Sequence, residues 1–152
     1  MYSHYMDDHI LGHHKNVATP KDPATAMRGE NIYQFVKRSS FGTFSVSWNR
    51  EFKRIEKKFG TNTTFLQKFA YNKMTYYAFF NLALLASIYL ILGPSSLMYQ
   101  MMYMFWGAWY LEVINYIEHY GLQRKKDENG IYESINKMHS WNSLSTAGLF
   151  RL

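Results

Sequence analysis

From Met74 to Leu111 the chain reads MTYYAFFNLALLASIYLILGPSSLMYQMMYMFWGAWYL, without one charged residue or histidine. A water-soluble core rarely needs so long an uncharged run, whereas a helix of about 20 apolar residues spans the hydrocarbon of a bilayer. Met74 to Leu92 is long enough for one crossing. Gly93-Pro94-Ser95-Ser96 then interrupts it, because glycine is conformationally permissive and proline lacks the N–H that a helix interior uses. Leu97 to Ile117 supplies a second crossing. The prediction is an all-α integral membrane protein built on a transmembrane helical hairpin, with spans at about 74–92 and about 97–117.

The flanks orient this hairpin. Lysines and arginines gather before the first span, from Lys53 to Lys73, and after the second, at Arg124, Lys125 and Lys126. Positive residues stay on the cytoplasmic side, so both flanks are expected there and the uncharged turn on the far side. Tyrosine and phenylalanine number 13 and 11, and many sit near the ends of the apolar run, where interfacial aromatic belts form. The net charge of +6 reads as this cytoplasmic face. It is not tied to a recognisable nucleic-acid module, so no nucleic-acid partner is expected.

Outside the spans, Trp48, Phe52, Ile55 and Phe59 recur at helical spacing, with Arg50, Lys53, Arg54, Lys57 and Lys58 between them. Gly60 is a natural stop. Residues 47–59 thus read as a basic amphipathic helix, either lying on the membrane surface or packed on neighbouring protein. Val17 to Pro23 reads as a loop, because Pro20 and Pro23 forbid a continuous helix. Thr25 to Lys37 is expected to return to helix.

Cysteine is absent, which rules out a disulfide, a thiolate metal site, an iron–sulfur centre or a cysteine nucleophile within this chain. A metal must be held by histidine, carboxylate or carbonyl groups. His4, His9, His13 and His14 crowd the start of the sequence. On a helix His9 and His13 lie one turn apart, with His14 on the flank. Imidazole suits iron, zinc, copper and nickel. Glu112, Asn115 and His119 fall at i, i+3 and i+7 on one face of the second span, a polar stripe expected to face protein. The topology places His9 to His14 and His119 on one side of the membrane, as a shared metal site requires. Taken alone, the first three histidines read equally well as interfacial side chains without metal.

At these residues the chain resembles a known family. Asp8-His9-Ile10-Leu11-Gly12-His13-His14, continuing through Thr19-Pro20-Lys21-Asp22-Pro23 to Ala26, resembles the second histidine box of the membrane alkane 1-monooxygenases. Those are integral-membrane di-iron ω-hydroxylases within the fatty acid desaturase superfamily. Asn115-Tyr116-Ile117-Glu118-His119-Tyr120-Gly121-Leu122 resembles their Asn-Tyr-x-Glu-His-Tyr-Gly box, and His139-Ser140-Trp141-Asn142-Ser143 a further stretch.

The resemblance implies a non-haem di-iron hydroxylase that uses O2 on the terminal carbon of an alkane or fatty-acyl chain. It implies metal ligands at His9, His13, His14 and His119. Asp8 stands where the family usually has glutamate, and Asp8, Glu112 and Glu118 are the carboxylates expected beside the ligands. His4 and His139 match no ligand position. Electrons would come from a rubredoxin-type donor, and the substrate from the lipid bilayer. The basic cytoplasmic surface suits an acidic donor by electrostatic steering. Met98, Met101, Met102, Met104, Trp106 and Trp109 form an apolar wall that reads as ordinary helix packing rather than as substrate contacts.

The family's His-Glu-x-x-His box and its last box, Leu-Gln-Arg-His-x-x-His-His, are not in these residues. The expectation is a fragment of a larger six-helix-type membrane hydroxylase, a partial domain over 1–152 that is inactive alone. Two alternatives stand beside it. One is a fatty acid desaturase or lipid hydroxylase of the same superfamily, although desaturases typically carry a second box one residue shorter. The other is a non-catalytic membrane remnant or scaffold.

Overall fold

The computed structural model of the chain describes Tyr5 and residues 9–141. These form a π-helical turn His9–His13, a short α1 (His14–Asn16), α2 (Ile32–Phe59), α3 (Phe65–Ala70), α4 (Lys73–His119) and a 3-10 turn Lys137–His139. Among the described residues the only β-type pairing is an isolated bridge between Lys126 and Tyr132.

Capping sets the bounds of α2. The Asn31 side chain accepts from the Gln34 N–H, and the Gln34 side chain accepts from the Asn31 N–H. The helix therefore starts at Ile32 rather than at Thr25, because Gly29 turns the chain at φ 84° and Asn31 caps the first helical turn beyond it. Gly60 ends it at φ 90°, its N–H bonding back to the Glu56 carbonyl. The buried face of α2 is Phe35, Ser39, Thr43, Ser47, Glu51 and Ile55, one residue in every four. Such a row is the i±4 ridge by which helices pack, and its small hydroxyl residues permit close approach.

The aromatic face expected over 47–59 is only partly covered. Trp48 and Phe52 are half-buried and meet the short helix α3 through Phe69 and Phe65, at ring separations of 6.2 and 6.5 Å. Phe59 stays exposed and meets Tyr71 at a tilt, with ring centroids 4.8 Å apart. Neighbouring protein thus covers the middle of this face and leaves Phe59 exposed.

The helical run α4 is long and apolar enough to cross a membrane, by length and composition. It is not one straight rod. Gly93 adopts φ 84° and ψ 177°, outside helical space, directly before Pro94. Both ends of α4 reach α2. The Lys73 N–H donates to Glu51 Oε2 at 3.2 Å, while Trp109 meets Tyr33 at 5.9 Å and Tyr116 meets Phe35 at 5.4 Å. Along a straight helix Lys73 and Trp109 would lie about 54 Å apart, yet their partners on α2 are separated by about 27 Å. The bend at Gly93 reconciles the two distances. Between the ends, side chains such as Leu90 and Tyr103 stay more than three-quarters exposed.

The core gathers around the loop 17–26, where Val17, Ala18, Ala24 and Ala26 are buried together with Asp22 and Thr25. A buried loop must pair its backbone groups. The Gly121 N–H donates to the Ala26 carbonyl at 2.9 Å and the Arg124 N–H to the Ala18 carbonyl at 2.8 Å. Arg38 reaches down from α2 to the carbonyls of Pro23 and Thr25, at 2.9 and 3.0 Å. The loop is thus fixed between α2 and the end of α4.

Candidate metal centre

The turn that carries the first histidines is wider than an α-helix. Residues His9–His13 are π-helical, a form that concentrates at functional sites. Widening the turn brings the i+5 residue round toward residue i. The rings of His9 and His14 accordingly lie 4.5 Å apart, closer than those of His9 and His13 at 5.2 Å. His119, from the far end of α4, closes on His13 at 4.8 Å. Tyr5 stacks on His9 at 4.9 Å and donates from its hydroxyl to Asn115 Oδ1 at 3.5 Å.

Two of these imidazoles have their tautomers set by their neighbours. His13 Nδ1 lies 2.7 Å from Asp22 Oδ2. His119 Nδ1 lies 3.1 Å from the His139 carbonyl oxygen. A carbonyl and a carboxylate only accept, so both Nδ1 atoms carry the proton and both Nε2 atoms are left as donors of a lone pair. Those two Nε2 atoms face each other at 3.1 Å. Two lone pairs at that distance repel unless an electrophile lies between them, either a shared proton or a metal ion. Nitrogen ligands about 2.1 Å from one metal at right-angle coordination sit about 3 Å apart. The donor set therefore fits a divalent first-row metal.

Burial disfavours the charged form of three of these imidazoles. Burial, with help from His13 and His14, pushes His9 down to about 4. Burial, with help from His13, pushes His119 down to about 4 as well. His14 is lowered for the same reasons. Burial by itself would raise Asp22, but the hydrogen bonds from His13, Thr25 and the Ala24 N–H outweigh it and hold the carboxyl below its ordinary value. A carboxylate behind a ligand imidazole is a pairing that metal sites use. Nδ1 of His9 is buried with no hydrogen-bond partner among the described residues.

The structure thus brings His9, His13, His14 and His119 together. Among the described residues no three His, Asp or Glu donors close around a single point. The convergent donors are the pair His13 and His119. Glu112 and Asn115 are buried on the face that leads to His119. Glu118 is half-buried, and its carbonyl accepts from the Trp141 N–H at 2.8 Å. Asp8, His4, Asn142 and Ser143 lie outside the described residues. His139 takes part through its carbonyl. Its ring is occupied elsewhere, Nδ1 accepting from the Asn136 N–H at 3.1 Å and Nε2 lying 3.2 Å from Glu133.

Sequence reasoning passed over Asp22, which it absorbed into a proline-bracketed loop, and Thr25, which it took as the start of a helix. Their three-residue spacing was the available signal, since Asp and Thr in such loops bond locally.

Comparisons with known proteins bear on the family. The family model described as fatty acid desaturase matches residues 1–151. The chain is 38% identical to an alkane 1-monooxygenase of Ectopseudomonas oleovorans, over 99% of this chain and 37% of that protein. It is 39% identical to alkane 1-monooxygenase 1 of Alcanivorax borkumensis, with the same coverage. It is 30% identical to the xylene/toluene monooxygenase hydroxylase component XylM of Pseudomonas putida, over 91% of this chain and 35% of that protein. The chain spans a little over a third of the length of these relatives. A match along all but one residue, carried by a box that places three imidazoles beside a fourth from a distant helix, assigns the chain to the fatty acid desaturase family.

Proposed function

We propose that this chain is the portion of a membrane monooxygenase that carries part of its iron centre, and that the enzyme hydroxylates the terminal carbon of an alkane or alkyl chain. The overall change puts one oxygen atom of O2 into a C–H bond. The other atom leaves as water, formed with two electrons delivered one at a time by a rubredoxin-type donor and two protons taken from solvent. A pair of non-haem irons, when bound, supplies the redox chemistry that an unactivated C–H bond demands and that acid–base side chains cannot provide.

His9, His13, His14 and His119 would hold metal here. Asp22 and the His139 carbonyl keep His13 and His119 in the donating tautomer. Burial keeps His9 and His119 unprotonated at neutral pH, so protons do not compete for their nitrogens. Glu112 and Glu118 sit on the helix that delivers His119, as candidate carboxylates beside the ligands.

We read α4 as two spans, about 74–92 and about 97–117, that reverse at Gly93-Pro94 across a bilayer. The exposed apolar flanks support this reading, as does the contact of both ends with α2. Both basic flanks then face the cytoplasm, where residues 47–59 lie close to the membrane surface and an acidic donor is steered toward them. An alkyl chain enters from the bilayer beside the spans.

The single observation that carries the proposal is the pair of opposed Nε2 atoms of His13 and His119. Two experiments test it. The detergent-solubilised chain, loaded anaerobically with Fe(II) and passed over gel filtration, is expected to retain iron and to lose it in the double variant His13→Ala/His119→Ala. Equal retention by both would remove these residues from the centre. Replacing the matching segment of the Ectopseudomonas oleovorans enzyme with this chain is expected to preserve formation of octan-1-ol from octane. Desaturated acyl lipid in place of the alcohol would favour the desaturase alternative.

A further inference from the structure

We propose that Asp22 and Thr25 are positioning residues for His13: the carboxylate fixes the proton on Nδ1 so that Nε2 is presented as the donor atom, and the Thr25 hydroxyl sets how strongly that carboxylate pulls. This rests on reading the histidine cluster as a metal centre.

The Asp22 side chain is 1% exposed and is met by three donors. Oδ1 accepts from the Ala24 N–H at 3.0 Å. Oδ2 accepts twice, from His13 Nδ1 at 2.7 Å and from the Thr25 hydroxyl at 2.6 Å. The Thr25 oxygen in turn accepts from the Ala18 N–H at 2.9 Å, which leaves its single proton for Asp22. One carboxylate oxygen is thus shared between a hydroxyl and an imidazole. The hydroxyl disperses part of the negative charge, so the carboxylate draws less on the His13 proton. Without Thr25 the imidazole moves toward imidazolate character and becomes a stronger ligand. Without the charge on Asp22 the opposite holds.

An Asn at position 22 has a single carbonyl oxygen for three donors. Its amide must then face one of them. A backbone N–H cannot give way, but an imidazole changes tautomer readily. His13 moves its proton to Nε2, which points at His119 3.1 Å away. That proton occupies the place a metal would take.

The test uses the full 152-residue chain in detergent, with 15N-labelled histidine and Co(II) alone as the probe metal. The His13 signals are identified by their loss in His13→Gln. In the metal-free chain His13 is expected to show a protonated Nδ1 and a bare Nε2. Asp22→Asn is expected to reverse this and to weaken Co(II) binding about 10–100-fold, as loss of a carboxylate behind a ligand histidine does. Thr25→Val is expected to keep the tautomer but move the Nδ1 proton signal downfield, and Thr25→Ser to return it. A role in loop packing alone would not be rescued in this way.

Wild-type tautomer and Co(II) affinity in Asp22→Asn would overturn the proposal. So would a Thr25→Ser spectrum that matches Thr25→Val. A wild-type chain with the stated tautomers that fails to bind Co(II) would overturn the metal-centre reading while supporting the positioning of His13.

Discussion

Gly42 on α2 faces Pro23 so closely that a methyl group added to it would meet the Pro23 Cβ at 2.5 Å. The contact presses the helix against the loop that carries Asp22, and neither partner is a flexible side-chain end. Gly42→Ala is expected to overpack this contact and to destabilise the chain by about 1–3 kcal/mol. The denaturant midpoint in detergent measures it. An unchanged midpoint would show that the loop yields freely, and with it the rigidity assigned to Asp22.

Arg38 holds the same loop from the side. Its guanidinium meets Glu30 through Nε at 2.8 Å and Nη2 at 2.7 Å, besides the two carbonyls of Pro23 and Thr25. A lysine ammonium does not span four acceptors in this planar array. Arg38→Lys is expected to cost about 1–3 kcal/mol. Glu30→Gln is expected to cost less, because the carbonyl bonds survive it. Comparing the two unfolding midpoints decides the order, and the reverse order would place the weight on the ion pair instead of the loop.

The histidine cluster predicts how the metal-free fold responds to acid. His9 and His119 titrate near 4 in the folded chain, against an ordinary value of 6.5. Between these values the unfolded chain binds more protons than the folded one, so stability rises with pH across that window. Lowering the pH from 7 is expected to weaken the fold progressively until about 4, below which these two groups contribute no further slope. The midpoint measured against pH checks this, with His9→Gln/His119→Gln as the flattened reference. Equal slopes in the two proteins would contradict it.

The absence of cysteine gives a clean background for topology. Single cysteines introduced as Lys21→Cys and Lys125→Cys are expected to react with an impermeant maleimide from one side of a vesicle, and Ser95→Cys from the other. Three sites labelled from the same side would remove the hairpin.

Gly93 is the point at which the proposed hairpin would reverse. Its φ of 84° with ψ of 177° belongs to a region that is essentially restricted to glycine. Gly93→Ala is expected to cost about 1–3 kcal/mol or to straighten α4. Spin labels at Tyr71→Cys and Gln123→Cys report the outcome, because a straight α4 would separate its ends by about 70 Å. An unchanged distance and stability would show that Pro94 makes the bend without it.

Hydropathy alone located α4, and the interruption at Gly93-Pro94 was legible because each residue type has one dominant backbone consequence. Gly60 was legible as a stop for the same reason. The buried ridge of α2 was not, since Ser39, Thr43 and Ser47 carry no apolar signal and are buried for their size. The start of α2 was misread at Thr25, whose hydroxyl is committed to Asp22, and the real cap is Asn31. The meeting of His13 with His119 came from resemblance and topology, for no local spacing links residues 106 positions apart. The π-helical turn had no sequence signature, because the choice between i+4 and i+5 bonding is made by the groups that pack around it.

A last consequence belongs to α2, which touches both feet of α4. From Phe35, beside Tyr116, to Glu51, beside Lys73, the helix covers about 24 Å. α2 therefore acts as a gauge block. The spacing of the two contacts at the base of α4 is counted out in turns of a polar helix. One added turn between these contacts would widen that spacing by about 5.4 Å and leave the sequence of α4 untouched. In the proposed hairpin, evolution could resize the space between the limbs by editing a segment that lies outside it.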